Sequence, residues 1–329
     1  MAVVNFIVSA VRIGMAFLLG STGETLTEKA GHLNLGIPGI MCVGAAGGCV
    51  AEALYTRIAV AGRTESPAEF DAYVSPFAAV LIPILAAFLC AALAGALYSF
   101  LTVTLRANQN VTGLALTTLG VGSADYMIST VRPAEFGHAS KYFTASLPFS
   151  ESLGWFGKLF LSYGAMVYVA LAAALISSFF LFRTSAGLRL RAVGEDPAAA
   201  DAAGINVTRY RYLATVVGSG VAGLGGLTYV MDTLNGNWEY VIDAIGWLSI
   251  ALVIFTVWKP HLAIPGSILF GALYIAGSYI GGVSTAQKSI IKMLPYAVTL
   301  IVLVITGIRS RKENRPPQGL GMNYFREER

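Results

Sequence analysis

Nine apolar runs, each close to the length needed to cross a membrane, constrain this chain more than any other feature. A helix needs about 20 residues to cross a hydrocarbon core, and only helices or closed barrels satisfy their own backbone hydrogen bonds there. The runs fall near residues 3–22, 37–56, 76–100, 111–130, 162–182, 211–230, 244–258, 265–282 and 293–308. We therefore predict an all-α integral membrane protein, a polytopic helix bundle of about nine spans. Because the seventh and eighth runs are short, eight and ten spans are the alternatives.

Charge placement predicts the orientation of these spans. Charged residues make up 12% of the chain, against about 25% in soluble proteins. If residues 183–211 are cytoplasmic, the inner segments carry twice as many Lys and Arg as the outer segments, as the positive-inside rule requires. We expect the N-terminus outside and the C-terminus inside. Since no Lys or Arg precedes Arg12, we interpret the first run as a retained span rather than a signal peptide.

The polar segment between the fifth and sixth runs has the pattern of a short, capped helix. Asp196 can accept hydrogen bonds from the first backbone amides of a helix, and Pro197 suits the first helical position. Alanines continue the helix, and Gly204 can take the left-handed conformation that ends it. A helix over residues 197–203 has about two turns and is unstable alone. The flanking membrane segments must therefore hold it in place.

Small residues within the runs favour close packing of helices. The sequence GSGVAG at residues 218–223 has glycines at the spacing of a dinucleotide-binding motif, but both flanks are apolar helix rather than a βαβ unit. Small residues that let helix backbones approach one another explain it better. The same spacing recurs at Gly44 with Gly48 and at Ala222 with Gly226.

Several classes of function find no support in the residues. The chain has no phosphate loop, and its three Cys lie inside apolar runs, while its three His are scattered. These features predict no catalytic residue, no metal site and no cofactor bound by this chain. A net charge of +4 is modest, so no nucleic acid is expected as a partner.

Polar side chains at membrane depth form the second group of candidates. They are costly to bury unless they bond to neighbouring helices or line a solute path, and both interpretations stay open. The candidates for the path are Asn34, Asn108, Asn110, Thr112, Thr117, Thr118 and Asp125. A related group at the inner end of the first span is Ser21, Thr22 and Glu24. Arg12 could pair with Asp125 or extend towards the surface.

The segments outside the spans differ in character. Residues 131–162, on the predicted outer side, carry aromatic side chains that fit either an interfacial helix or an aromatic belt. These are Phe136, Tyr142, Phe143, Phe149, Trp155 and Phe156. Residues 309–329 are polar, with Pro and Gly, and we expect a disordered cytoplasmic tail near anionic lipid. The transmembrane domain then comprises residues 1–308.

Three motifs are distinctive: GETLTEKAGHLNLGIPG at residues 23–39, RANQNVTGLAL at 106–116, and GLRLRAVGEDPAAADAAGINV at 187–207. They resemble the permease subunits of bacterial ABC importers of the branched-chain amino acid, ribose and nucleoside type. The resemblance covers about residues 5–308, and the third motif is the most specific. It is closest to the permeases that serve nucleosides or simple sugars.

This resemblance implies a type II-like permease whose central loop contains a helix that docks on a cytoplasmic ABC ATPase. The residues it assigns to this coupling are Glu195, Asp196, Pro197, Ala199, Asp201, Ala202, Ala203 and Gly204. ATP and Mg would be used by that ATPase, not by this chain. The other implied partners are a second permease chain, homologous or identical, and an external solute-binding protein or lipoprotein. The implied location is the bacterial inner membrane, and the cargo a small polar solute.

Two other classes of protein are the alternatives. A self-contained secondary transporter with an inverted repeat would need ligands for a coupling ion, yet intramembrane carboxylates are scarce, and the deep candidates are Asp125 and Asp243, the latter at the edge of the seventh run. A membrane-embedded enzyme would need a convergent set of His, Cys or carboxylate side chains, and the sequence suggests none.

Overall fold

The computed structural model describes residues 2–64, 66–146, 150, 154–239, 242–280, 282, 284–309 and 315–325, and every regular element in these ranges is helical. The long helices correspond to the nine apolar runs. They are α1 Ala2–Lys29, α2 Ile37–Val60, α3 Pro76–Ser99, α4 Gln109–Ser129, α8 Ala165–Arg183, α11 Val207–Thr228, α12 Ile242–Phe255, α13 Pro260–Tyr279 and α15 Leu294–Arg309. The short helices are α5 Pro133–Gly137, α6 Ser140–Phe143, α7 Gly154–Phe160, α9 Ser185–Glu195, α10 Pro197–Ala202 and α14 Thr285–Ile291.

Within the described residues, seven helical stretches are long and apolar enough to cross a membrane. They are Val3–Lys29, Ile37–Val60, Pro76–Thr104, Ala165–Arg183, Val207–Thr233, Pro260–Tyr279 and Thr285–Ile305. The protein is therefore a polytopic helical membrane protein. The remaining two runs form α4, which carries more polar side chains, and α12, whose 14 residues extend only about 21 Å.

The centre of the bundle is formed by α2 and α11, which pack against each other and against α3. Helix α11 also packs against α1. In each of these two helices 78% of the most apolar stretch is buried, compared with 11% for the stretch ending at Ile305. Glycines allow this packing, because a Cβ on Gly44 of α2 would lie 2.5 Å from the Cα of Gly223 of α11. The prediction of close small-residue contacts is confirmed.

The loops that connect the long helices form two groups, one at each end of the bundle. At one end, which we call the α10 end, Gly31 of the α1–α2 loop contacts Gly194 of α9, and Trp258 after α12 donates to Glu28. At the other end, Gly137 of α5 lies against Gly236, which follows α11.

An ion pair joins α5 to the C-terminal end of α2, at the end of the bundle opposite α10. Glu135 is 1% exposed and accepts hydrogen bonds from Arg57 Nε at 2.9 Å and Arg132 Nε at 2.8 Å. Burial alone would raise the pKa of Glu135, but these hydrogen bonds outweigh it and bring that pKa to about 2. The carboxylate is therefore charged at any physiological pH, which keeps this junction closed.

The aromatic residues expected in an interfacial helix or belt divide into two groups. Phe136 and Phe143 are fully buried in the bundle, whereas Trp155 and Phe156 are 71% and 48% exposed. Tyr142 is half-buried and packs near Val74 and Ala79, and Phe149 lies outside the described residues. Part of the aromatic cluster therefore belongs to the core, and α7 carries the exposed part.

Candidate functional site

The first half of the site is the capped entry to α10. Asp196 ends α9 and begins α10, and its Oδ1 accepts from the backbone N–H groups of Ala198 at 3.0 Å and Ala199 at 2.9 Å. Pro197 takes the first helical position, where its missing N–H costs nothing. The predicted N-cap is confirmed, because local sequence alone satisfies the free amides.

The exit from α10 is equally well defined. Gly204 has a φ of +81°, its N–H donates to the carbonyl of Asp201 at 2.9 Å, and that of Ile205 donates to the carbonyl of Ala200 at 3.0 Å. These bonds satisfy the last carbonyls of the helix. The helix ends at Ala202, one residue earlier than predicted. A Cβ at residue 204 would meet nothing within 4 Å, so glycine is needed there for backbone conformation only.

A small apolar cluster supports α10 from below. It consists of Val193 of α9, Ala200 of α10 and Val207 of α11, with Ile205, Tyr210 and Tyr324 packed around it. Ala200 is the buried residue of α10. A six-residue helix has no stability of its own, so this cluster, together with its two caps, holds it in place.

The outward face of α10 consists of small and acidic residues. Of the eight residues assigned to coupling, six are exposed and two are half-buried. The exposed ones are Glu195, Asp196, Ala199, Ala202, Ala203 and Gly204, and the half-buried ones are Pro197 and Asp201. Two cavities of about 730 and 940 Å³ flank the loop after α10, and both are lined by Gly204, Ile205 and Asn206. We call the exposed surface formed by residues 195–204 the α10 ridge.

Buried polar side chains lie beneath the α10 end. His32 is fully buried and its ring nitrogens lie 2.8 Å from the Thr215 hydroxyl and 2.7 Å from the Thr102 hydroxyl. Burial, and secondarily the nearby Arg211 guanidinium, lowers the pKa of His32 to about 3, so the ring is neutral. In the sequence this histidine is isolated, and only the fold brings its two partners to it.

The polar group predicted at the inner end of the first span does lie together. Ser21, Thr22 and Glu24 are buried on α1, and the Glu24 Oε1 accepts from the backbone N–H of Asn34 at 3.2 Å. Glu28, which was not among the predicted candidates, accepts a hydrogen bond from Trp258. Its position four residues after Glu24, on the same face of a helix, was the available signal.

The residues predicted to line a solute path are only partly brought together. Asn34 is buried, and Thr117 donates to the carbonyl of Leu35 at 2.8 Å, so both lie where the α1–α2 loop packs on α4. Asn108 instead caps α4 by accepting from Val111 at 3.1 Å. The rest lie elsewhere on α4: Thr112 and Asp125 are half-buried, and Asn110 and Thr118 are exposed.

The suggested pairing of Arg12 with Asp125 is wrong. Arg12 of α1 bonds to Asp232, with Nη2 3.0 Å from Oδ1 and Nε 3.2 Å from Oδ2. Asp232 lies just beyond the predicted sixth span, in a π-helical turn, Tyr229–Thr233, that continues α11. The apolar run therefore ended too early to suggest it as a membrane-depth carboxylate.

Among the described residues, no group of three or more His, Cys, Asp or Glu side chains could hold a metal ion. The side chain of Asp243 lies outside the described part of the chain. The site therefore consists of the α10 ridge and the polar residues beneath it.

The sequence matches a known family of proteins along most of its length. The family described as branched-chain amino acid transport system, permease component, matches residues 6–304. The nucleoside ABC transporter permease protein NupC of Lactococcus lactis subsp. cremoris is 30% identical over 93% of this chain and 92% of its own length.

Two further relatives match along nearly their whole length. TsgC13 of Haloferax volcanii, provisionally named a glucose ABC transporter permease protein, is 31% identical over 97% of both chains. The guanosine ABC transporter permease protein NupQ of Bacillus subtilis is 28% identical over 99% of this chain and 98% of its own. No solved structure matches the chain. The chain belongs to the branched-chain amino acid transport system permease family, the non-catalytic membrane subunits of ABC transporters.

Proposed function

We propose that this chain forms the translocation path of an ABC importer for a nucleoside, with a simple sugar as the second candidate, and that α10 couples it to a cytoplasmic ATPase. The observation that carries the coupling role is the exposed α10 ridge, fixed by a cap at each end, with two cavities beside the loop that follows it. A rigid, small-residue helix suits insertion into a groove because few side chains must be ordered on docking. Family membership leaves no place for the secondary transporter considered above.

The substrate proposal rests on the relatives. Two of them are named for nucleosides or guanosine and one for glucose, at about 30% identity. Hydroxyl and amide groups on α4 could bond to either kind of solute. We expect an external binding protein or lipoprotein to deliver the solute.

The proposed path includes the polar face of α4. Asn110 is exposed at the start of this helix, and Thr118 is exposed further along it, with its hydroxyl donating to the carbonyl of Leu114 at 3.3 Å. We infer that this face meets a second permease chain or an aqueous path. Asp125, half-buried further along the helix, extends the same polar surface.

We infer nine crossings. Helix α4 begins at the α10 end, where Asn323 donates to the carbonyl of Arg106, and ends beside Arg57, which donates to the carbonyl of Thr130 at the other end. Helix α12 ends at the α10 end, because Trp258, which follows it, donates to Glu28 there. With the positive-inside rule, the α10 end is cytoplasmic and the N-terminus external in a cell membrane.

The test compares two positive-φ glycines. Gly204 and Gly62 have φ values of +81° and +69°, and neither has an atom within 4 Å of an added Cβ, but they lie at opposite ends of the bundle. A side chain costs roughly 1 kcal/mol or more in this conformation. We expect Gly204→Val to remain in the membrane yet lose both ATPase co-purification and solute uptake, and Gly62→Val to retain both.

Asp196→Ala provides an intermediate case. It removes the N-cap at a cost of about 1 kcal/mol without redirecting the loop after α10, so uptake should fall less than in Gly204→Val. Uptake of labelled nucleoside and of labelled glucose is measured for each variant in membranes with matched expression. Normal uptake by Gly204→Val would refute the coupling role of α10, and transport of neither solute by the unaltered chain would refute the substrate class.

A further inference from the structure

Residues 315–325, which we call the C-terminal segment, lie across the α10 end of the bundle. Polar composition predicted disorder for the tail that contains them, but these residues make backbone and side-chain contacts with α9, α10, α11, the α1–α2 loop and the α3–α4 loop. Pro317 and Gly319 are buried. The difference arises because the contacts are made largely by the backbone, which composition does not report.

The first contact is a junction of three backbones. The N–H of Gly319 donates to the carbonyl of Gly194 at 2.9 Å, and the N–H of Gly321 donates to the carbonyl of Gly31 at 3.3 Å. A Cβ on Gly319 would lie 2.9 Å from the Gly194 carbonyl oxygen, and one on Gly31 would lie 3.1 Å from the Gly194 Cα. Glycine at all three positions lets α9, the α1–α2 loop and the C-terminal segment touch directly.

The second contact reaches α10 itself. The Tyr324 hydroxyl donates to Asp201 Oδ2 at 2.6 Å, and its ring packs against the cluster of Val193, Ala200 and Val207 under the helix. Just before α10, the N–H of Gln318 donates to Glu195 Oε2 at 3.2 Å. The segment therefore contacts α10 from the side of its support, leaving its outward face exposed.

The third contact joins the segment to the long helices. Asn323 Nδ2 donates to the carbonyl of Arg106 at 2.7 Å, in the loop between α3 and α4. Arg211 of α11 is 2% exposed and its Nη1 donates to the carbonyl of Met322 at 3.0 Å. A buried guanidinium requires an acceptor, and among the described residues this carbonyl is the acceptor of its hydrogen bond.

We propose that the C-terminal segment is a positioning element for coupling. It connects α10 to the α1–α2 and α3–α4 loops, so that motion of α10 is transmitted to the four helices α1, α2, α3 and α4. Apart from the segment, α10 packs on α9 and the beginning of α11. Packed and hydrogen-bonded groups can carry coupling between distant parts of a protein, and the segment adds a direct hydrogen-bonded connection from Asp201 to the loops that contain Gly31 and Arg106. This inference rests on the coupling role proposed for α10.

The test uses the complete transporter, purified with its ATPase and placed in proteoliposomes, and measures the solute moved per ATP hydrolysed. Tyr324→Phe removes only the hydroxyl that bonds to Asp201, and Gly319→Val separates the segment from Gly194. We expect both variants to keep the ATPase bound and hydrolysing while the transport ratio falls, by about fivefold for loss of one such hydrogen bond.

Two matched controls lie within the same segment. Gln318 and Met322 use only backbone groups in the contacts described, and both side chains are exposed, so Gln318→Ala and Met322→Ala should leave the ratio unchanged. If Gly319→Val does not assemble, Tyr324→Phe decides. An unchanged ratio in Tyr324→Phe overturns the proposal; this includes the case in which uptake and hydrolysis fall in equal proportion, which is the result of a merely stabilising role. Failure of the coupling role itself is recognised separately, by normal uptake in Gly204→Val.

Discussion

Asp232 is 1% exposed in its side chain, whereas Arg12, its partner across two helices, is 31% exposed. The two residues should therefore respond unequally to substitution. Arg12→Leu leaves a buried carboxylate without its cation and should lower the free energy of unfolding by about 3 kcal/mol. Asp232→Leu leaves a guanidinium that can reach water, so its effect should be smaller.

The double variant Arg12→Leu with Asp232→Leu is the control. Since neither charge is left unpaired, it should be more stable than Arg12→Leu alone. Thermal unfolding in detergent gives the order of the three variants. If the double variant unfolds at or below the temperature of Arg12→Leu, the pair is not the source of the effect.

His32 makes the stability of the α10 end depend on pH. Burial lowers the pKa of this imidazole from 6.5 to about 3, so the folded state binds the proton less well than the unfolded state. Its contribution to stability is complete above pH 6.5 and is lost as the pH falls from 6.5 towards 3. By about pH 5 the loss should reach roughly 2 kcal/mol.

The measurement compares the unfolding temperature of the unaltered chain and His32→Gln at several pH values. Gln stays neutral, so the variant should lose less stability between pH 6.5 and about pH 5. Glu135, with its low pKa, should not contribute in this window, because its effect is lost only as the pH falls from 4.5 towards about 2. Parallel curves for the two proteins would contradict the assignment to His32.

At the scale of helices, glycine positions decide how close α2 and α11 can come. A Cβ on Gly44 would lie 2.5 Å from the Cα of Gly223, whereas a Cβ on Gly122 of α4 would meet nothing within 4 Å. Gly44→Leu should therefore force the two helices apart and lower stability by about 2 kcal/mol or more. Gly122→Leu adds the same side chain to an open surface.

Folded yield after detergent extraction and the unfolding temperature report both variants. We expect Gly122→Leu to match the unaltered chain, since its side chain faces open space and leucine favours helix over glycine. A Gly44→Leu protein as stable as Gly122→Leu would show that α2 and α11 can separate without cost.

At the scale of the whole molecule, the proposed orientation is tested by labelling. Ala199 of α10 and Ser66 of the α2–α3 loop are exposed at opposite ends of the bundle. Cys at Ala199 should react only from the cytoplasmic side, in inverted vesicles stripped of peripheral proteins, and Cys at Ser66 only from outside. The unaltered chain is the control, because Cys42 and Cys49 are buried and Cys90 is half-buried. Labelling of both positions from one side would contradict the topology.

Features that depend on neighbouring residues in sequence could be predicted. The nine apolar runs coincide with long helices because a spanning segment satisfies its own backbone. The caps of α10 follow from Asp196, Pro197 and Gly204, whose effects act within four residues. The α10 ridge, the central element of the candidate site, was therefore predictable to within one residue of its end.

Features that depend on distant residues were decided by the tertiary structure. Arg12 pairs with Asp232 rather than Asp125, and His32 lies between Thr102 and Thr215, because helix packing, which no local pattern encodes, selects which polar groups meet. Residues 315–325 have a defined structure for the same reason. Backbone groups of glycines far apart in sequence bond to one another, and a polar, proline-containing composition does not predict those bonds. The sequence by itself determined the helices and the caps of α10, whereas the tertiary structure decided how the α10 end is joined together.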